Sequence, residues 1–238
     1  QIRLLARMPL AYLIADKLGS IQKDGLPAPA PYSTNLLIDD ILNHKLDATA
    51  LRANPKGLGQ FFAEGTIIKI SDKKLKPVVG RVVAYPLSKQ KPFSTLNEAE
   101  TSLGNEIYNK EYEETFIGDT IVDIELIYPT NQKVKKYTIQ SLLDPMLPKQ
   151  EETANLIIDH TNKKPNVHRV TGLLDKPVNV TNSALKAFST FVVNGFNHIL
   201  EGYDHILFIL CLIVGAQTLK SLFWRITGFT IGHSVTIS

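Results

Sequence analysis

Residues 120–128 read Thr120-Ile121-Val122-Asp123-Ile124-Glu125-Leu126-Ile127-Tyr128. In an extended chain Val122, Ile124, Leu126 and Tyr128 share one face, and Asp123 and Glu125 lie on the other. Such alternation marks a strand with one face in a core. Pro129-Thr130-Asn131-Gln132 follows and predicts a hairpin turn. Working outward, residues 66–70, 78–85, 134–142, 155–160 and 167–174 carry the same signature. Six strands with turn signals between them predict an α+β chain, with an antiparallel β-sandwich-like domain and an N-terminal helical part. The helical part is read from residues 34–47 (TNLLIDDILNHKLD). There Leu37, Ile38, Ile41 and Leu42 fit one helical face, with Thr34 or Asn35 as cap. A short helix is predicted over residues 55–64. Thr95-Leu96-Asn97-Glu98 has capping-box spacing and predicts a small surface helix. Lys176 to Ser183 reads as a linker.

The chain has 238 residues, of which 44% are hydrophobic and 21% charged, so it belongs among folded chains. Its 26 basic and 23 acidic residues leave a formal net charge of +3, too balanced for a nucleic-acid footprint. The one cysteine, Cys211, excludes an intramolecular disulfide framework and a cysteine-based zinc site.

Charge is not spread evenly. From Ala187 to Leu219, between Lys186 and Lys220, only Glu201 and Asp204 are formally charged. As a helix this run is roughly 50 Å long, more than a bilayer core requires. Ile206 to Ala216 is uninterrupted apolar sequence, and a second apolar run starts at Leu222. These features predict a β-rich domain over 1–180 and the start of a helical transmembrane domain over 181–238. The first helix would span about 184–219 and the second would begin near 222. Lys220 and Arg225 fall in the expected connection, which places it in the cytoplasm and the β-rich domain outside it. The chain starts at Gln1 without a signal-peptide pattern, and its second apolar run reaches Ser238. The expectation is an N-terminal fragment of a longer membrane protein.

Several residue groups suggest chemistry. Asp40 and His44 stand four apart on the predicted helix, a spacing suited to a metal, although a solvated helical face explains them as well. His160 and His168 flank Thr161-Asn162-Lys163-Lys164-Pro165-Asn166 and would meet across a hairpin, but no third ligand lies nearby in sequence. Asn179-Val180-Thr181 fits the glycosylation acceptor pattern. No Gly-rich phosphate loop and no G-x-S-x-G elbow is present.

The membrane segment is the densest group. Residues 195–208 read GFNHILEGYDHILF. An Asp or basic side chain at a membrane helix centre costs about 2.5–3.5 kcal/mol on insertion scales. His198 and His205 are seven apart, so on a helix they project within about 20° of each other. Glu201 shares their stripe, Asp204 lies on its flank, and His233 follows in the second apolar run. Imidazole with carboxylate suits a borderline divalent metal such as nickel, cobalt or zinc. Structural hydrogen bonding between helices is the competing reading. Along a regular helix His198 and His205 are about 10.5 Å apart, too far for one ion unless the helix breaks at Gly202. Without a break, Asp204 or His205 would pair with His233, and His198 would be an outer station.

Gly195-x-x-His198-Ile199-x-x-Gly202-x-Asp204-His205-x-x-Phe208, followed by Phe229-Thr230-x-Gly232-His233-Ser234-x-Thr236, resembles the start of the membrane region of a HupE/UreJ-type protein. The better resemblance is to the subgroup with a large extracytoplasmic domain before its helices. Arg7-Met8-Pro9-Leu10 is similar to the entry of that subgroup. The family's His-x5-Asp-His spacing falls here on His198, Asp204 and His205; Glu201 enters the site on geometry alone. The resemblance implies a bacterial inner-membrane protein of several helices, linked to nickel supply for hydrogenase or urease, with its N-terminal domain periplasmic. Its implied contacts are membrane lipid and a transported or bound divalent metal ion, with an extracytoplasmic protein partner as a further expectation and no nucleic acid. The rivals are an intramembrane metal-dependent hydrolase, with Asp204 or Glu201 as base, and a membrane-anchored binding or sensing module.

Overall fold

The computed structural model describes residues 1–105, 107–112, 114–131, 134, 136–147, 152–161 and 165–181, and, further on, residues 192, 207, 210, 211, 213–215, 218 and 220–228. The chain divides into two compact units, Gln1–Asn182 and Ser183–Ser238.

The first unit is mixed α+β, and its sheets are antiparallel. At its centre is the strand read first. β1 (Ile2–Pro9), β6 (Val78–Pro86) and β7 (Thr120–Tyr128) form a three-stranded sheet with β7 in the middle. The N-terminal residues are therefore a strand, not part of a helical region. β1 pairs with β7 without interruption from Ile2↔Tyr128 to Pro9↔Ile121. β6 carries an irregularity between Val79 and Val82.

Val122, Ile124, Leu126 and Tyr128 are fully buried, as their alternation requires. They meet Val82 and Ala84 of β6, Leu13 and Ile14 of α1 (Ala11–Ile14), and Leu58 and Phe62 of α3 (Gly57–Gly65). α3 approaches β6 so closely that a Cβ on Gly59 would lie 2.4 Å from Val79 Cγ1, which is why glycine stands there. The opposite face of the sheet carries Val83, Tyr85 and Ile121, packed with Leu103 of α4 (Leu96–Leu103). The expected capping box at Thr95 and Glu98 forms, and it fixes where α4 begins.

A second sheet runs in the order β11 (Val178–Thr181), β8 (Lys136–Ser141), β4 (Thr66–Ile70), β5 (Lys73–Lys74). Its inward residues Ile68, Ile139 and Val180 join the main core. β11 replaces most of the expected linker, because Val178 and Val180 alternate toward that core and the strand pairs with β8. β7 and β8 belong to different sheets, so the hairpin expected to join them is not formed.

Two hairpins complete the unit, β9 (Ala154–Asp159) with β10 (Asn166–Thr171), and β2 (Ser33–Ile38) with β3 (Ile41–Leu46). The second replaces the helix predicted over 34–47. Its turn residues Asp39 and Asp40 have φ of 48° and 61°. Two left-handed residues make the turn that matches strand twist, and Asp tolerates that conformation better than most residues. The sandwich expectation is corrected as well: among the described residues the strands divide among four separate antiparallel sheets.

In the second unit residues 220–228 are helical. Thr218 caps this stretch, its Oγ accepting from Ser221 N at 3.2 Å and its carbonyl from Leu222 N at 3.0 Å. Lys220 and Arg225, expected in a connecting loop, lie within the helical stretch. Residues 207, 210, 211, 213 and 214 are helical, Gly215 is a turn and Thr218 a bend, so the first helix does not run unbroken to 219. Among the described residues no helix is long and apolar enough to cross a membrane.

Candidate functional site

The densest charge constellation among the described residues lies between the three-stranded sheet and α4. It has two rungs, and each draws one residue from β1, β7, β6 and α4. In the first, Arg3 Nε donates to Glu125 Oε1 at 2.7 Å and Arg81 Nε to Glu125 Oε2 at 2.8 Å. Glu100 closes the ring, with Arg3 Nη1 at 2.6 Å and Arg81 Nη2 at 2.5 Å. In the second, Arg7 grips Asp123 with two hydrogen bonds of 2.7 and 2.8 Å. Tyr85 donates to both Asp123 oxygens at 3.0 Å, and Ser102 Oγ donates to Oδ2 at 2.5 Å. Arg7 also lies over the Phe93 ring, 4.2 Å from its centroid.

The electrostatics follow from these partners. Burial alone raises the pKa of Glu125, but the hydrogen bonds from Arg81 and Arg3 outweigh it and hold the carboxyl at about 2. Glu100 is lowered by its hydrogen bonds from Arg3 and Arg81. Burial, reinforced by the Asp123 charge, raises the Tyr85 hydroxyl. Glu100 and Glu125 are therefore ionised and committed to guanidinium groups at neutral pH. The constellation ties three strands to α4. Sequence reading placed Asp123 and Glu125 on a face apart from the core, and structure buries them at 0% and 4% exposure. The missed signal is Arg3-x-Leu5-x-Arg7, a second alternating strand that carries the matching cations.

A shallow cleft of about 390 Å³ is lined by Lys45, Asp47, Arg52, Tyr108, Tyr112 and Glu114, among others. Its charges are satisfied from within. Lys45 pairs with Glu114 at 2.5 Å, Asp47 caps α2 (Ala48–Ala53), and Arg52 Nε donates to the Tyr108 carbonyl at 3.3 Å.

The predicted sites fare differently. Asp40 and His44 are not one helical turn apart, because Asp40 is in the β2–β3 turn and His44 faces Asn35 across the hairpin, Nδ1 to Oδ1 3.2 Å. His160 and His168 do not meet either: His168 stands opposite Ile157, and His160 lies beyond the end of β9. No group of three or more His, Cys, Asp or Glu suited to a metal occurs among the described residues. His198, Glu201, Asp204, His205 and His233 lie outside the described residues.

These five fall within a span that was compared with known families. Residues 175–238 match the HupE / UreJ protein family. The matched span contains all five proposed ligands, and it begins just before β11 and runs through the second unit. The resemblance seen in the Gly195–Phe208 and Phe229–Thr236 motifs is thereby borne out at the level of the family. HupE/UreJ proteins are a membrane-associated family linked to nickel and cobalt transport. No curated protein and no solved structure gave a significant match.

Proposed function

We propose that this is a HupE/UreJ-like integral membrane protein that handles a divalent metal of the nickel type, as a permease or a metal-supply accessory. The β-rich unit stands outside the cytoplasm, and 183–238 begins the membrane domain. The observation that carries the reading is the coincidence of the family match over 175–238 with the His and Asp residues of an otherwise apolar run. Side-chain exposure supports the lipid part: Leu207, Leu210, Ile213, Val214, Phe223 and Trp224 are all exposed. Large apolar side chains at a surface suit a hydrocarbon solvent.

In this reading the ion is the cargo. Neutral imidazoles of His198, His205 and His233, with Asp204 and Glu201, replace part of its water shell. Softer nitrogen donors favour nickel, cobalt or zinc over magnesium or calcium. A permease site must also release its ion, so it is incomplete by design.

The test is uptake of radiolabelled nickel, cobalt and zinc by cells carrying the full-length protein. His205→Ala should abolish metal-dependent uptake and His198→Ala should weaken it, with membrane levels of each variant checked by immunoblot. Unchanged uptake of all three metals in both variants would refute the permease.

A further inference from the structure

The second sheet carries charge of one sign. β4, β5, β8 and β11 together hold Lys69, Lys73, Lys74 and Lys136, and not one Asp or Glu. Lys69 and Lys74 are direct cross-strand partners. Like charges facing each other across a ladder destabilise a sheet. Thr138 pairs with Lys69 on the other side, which puts Lys136 diagonally across from Lys69. Ile68 and Ile139 point into the core, so by strand alternation Lys69, Lys74 and Lys136 share the outward face. None of these side chains makes an ion pair or hydrogen bond among the described residues, in contrast to the fully paired arginines of the first sheet.

Lysines on an edge strand often serve to block strand addition. That accounts for β5, which is the edge. It does not account for Lys69 and Lys136, because β4 and β8 are interior strands. The sheet's other edge, β11, ends at Thr181, and Asn182 alone separates it in sequence from the second unit.

We propose that the Lys69–Lys74–Lys136 face rests on anionic phospholipid headgroups of the membrane. The inference builds on the membrane reading above. Charge complementarity selects the occupant: an extended anionic plane meets three cations at once. Each lysine at headgroup level adds roughly fivefold to the partition.

The full chain is incubated with phosphatidylcholine vesicles and with vesicles in which a third of the lipid is phosphatidylglycerol. Flotation reports association. Acylation of amines, read by mass spectrometry, reports protection, with exposed Lys23 and Lys56 as references. We expect several-fold slower acylation of Lys69, Lys74 and Lys136 on the anionic vesicles only. High salt and the variant Lys69→Glu/Lys74→Glu/Lys136→Glu should each erase the difference. Flotation with both vesicles but equal acylation overturns the headgroup contact and leaves the membrane reading standing. Salt-sensitive flotation with anionic vesicles alone upholds the contact and overturns the spanning reading. Flotation with neither overturns both.

Discussion

Asp123→Ala tests whether the paired charges hold the first unit together. The carboxylate has no exposed surface, and the Arg7 side chain is 13% exposed. Removing Asp123 leaves that guanidinium without its anion and takes the acceptor from Tyr85 and Ser102. Breaking a buried pair from one side costs about 3–5 kcal/mol. For a unit of this size that lowers the melting temperature by on the order of 10 °C. The probes separate the two units. Of the eight tyrosines only Tyr203 lies in the second unit, while the single tryptophan, Trp224, reports that unit. Near-ultraviolet circular dichroism of tyrosine should show the early transition, with Trp224 fluorescence unmoved. The double variant Arg7→Met/Asp123→Leu should recover most of the loss, because it removes both charges and leaves neither unpaired. A shift below about 1 kcal/mol in Asp123→Ala, or a double variant as unstable as the sum of the singles, would show that the pair carries no such load.

Glu125 sets an acid limit. Its pKa falls from 4.5 to about 2 on folding, so its stabilisation is complete above the unfolded value and disappears as pH drops toward the folded one. The shift is worth roughly 3 kcal/mol. Urea unfolding followed across that acid window should therefore steepen in the native protein and flatten in Glu125→Gln; equal slopes would remove Glu125 from the account. Gly80→Ala should loosen the same rung. A Cβ there would sit 2.8 Å from Glu125 Oε2 and 2.9 Å from its Cγ, so the carboxylate must move off Arg81. The expected loss is about 1–3 kcal/mol by tyrosine circular dichroism, and an unchanged transition would mean the rung tolerates displacement.

The strands of the first unit were legible where alternation ran long. β7 matches its sequence expectation from Thr120 to Tyr128, and β4 matches from Thr66 to Ile70. Alternation says that two faces differ; it does not say that the polar face meets water. α4 covers that face, and Arg3, Arg7 and Arg81 make its burial tolerable. The β2–β3 hairpin was misread for a related reason. Leu37, Ile38, Ile41 and Leu42 are spaced one and three apart, which fits a helical stripe. The same spacing arises when a two-residue turn separates two apolar strand ends. Asp39-Asp40 was the signal for the turn, and it lacked the glycine that usually announces one. β11 was hidden because a four-residue strand at a sheet edge takes its stability from pairing with β8, a partner remote in sequence.

The proposed metal ligands rest on a different kind of signal, charge that has no formal partner within its own run of sequence. In the first unit each carboxylate of the two rungs is answered by a guanidinium on a neighbouring strand. Between Lys186 and Lys220 there is no formal cation at all, yet Glu201 and Asp204 stand in that run. A carboxylate in hydrocarbon must take up a proton or hold a cation, since leaving it bare costs several kcal/mol. His198 and His205 bracket the two carboxylates, and neutral imidazoles add ligand capacity without adding positive charge. In the proposed site a divalent ion would meet both requirements at once, neutralising the acids and using the imidazole lone pairs. A lysine or arginine in the same run would supply the charge and make the ion unnecessary. The absence of such a residue from this stretch of sequence supports the proposed metal handling over hydrogen bonding between helices alone.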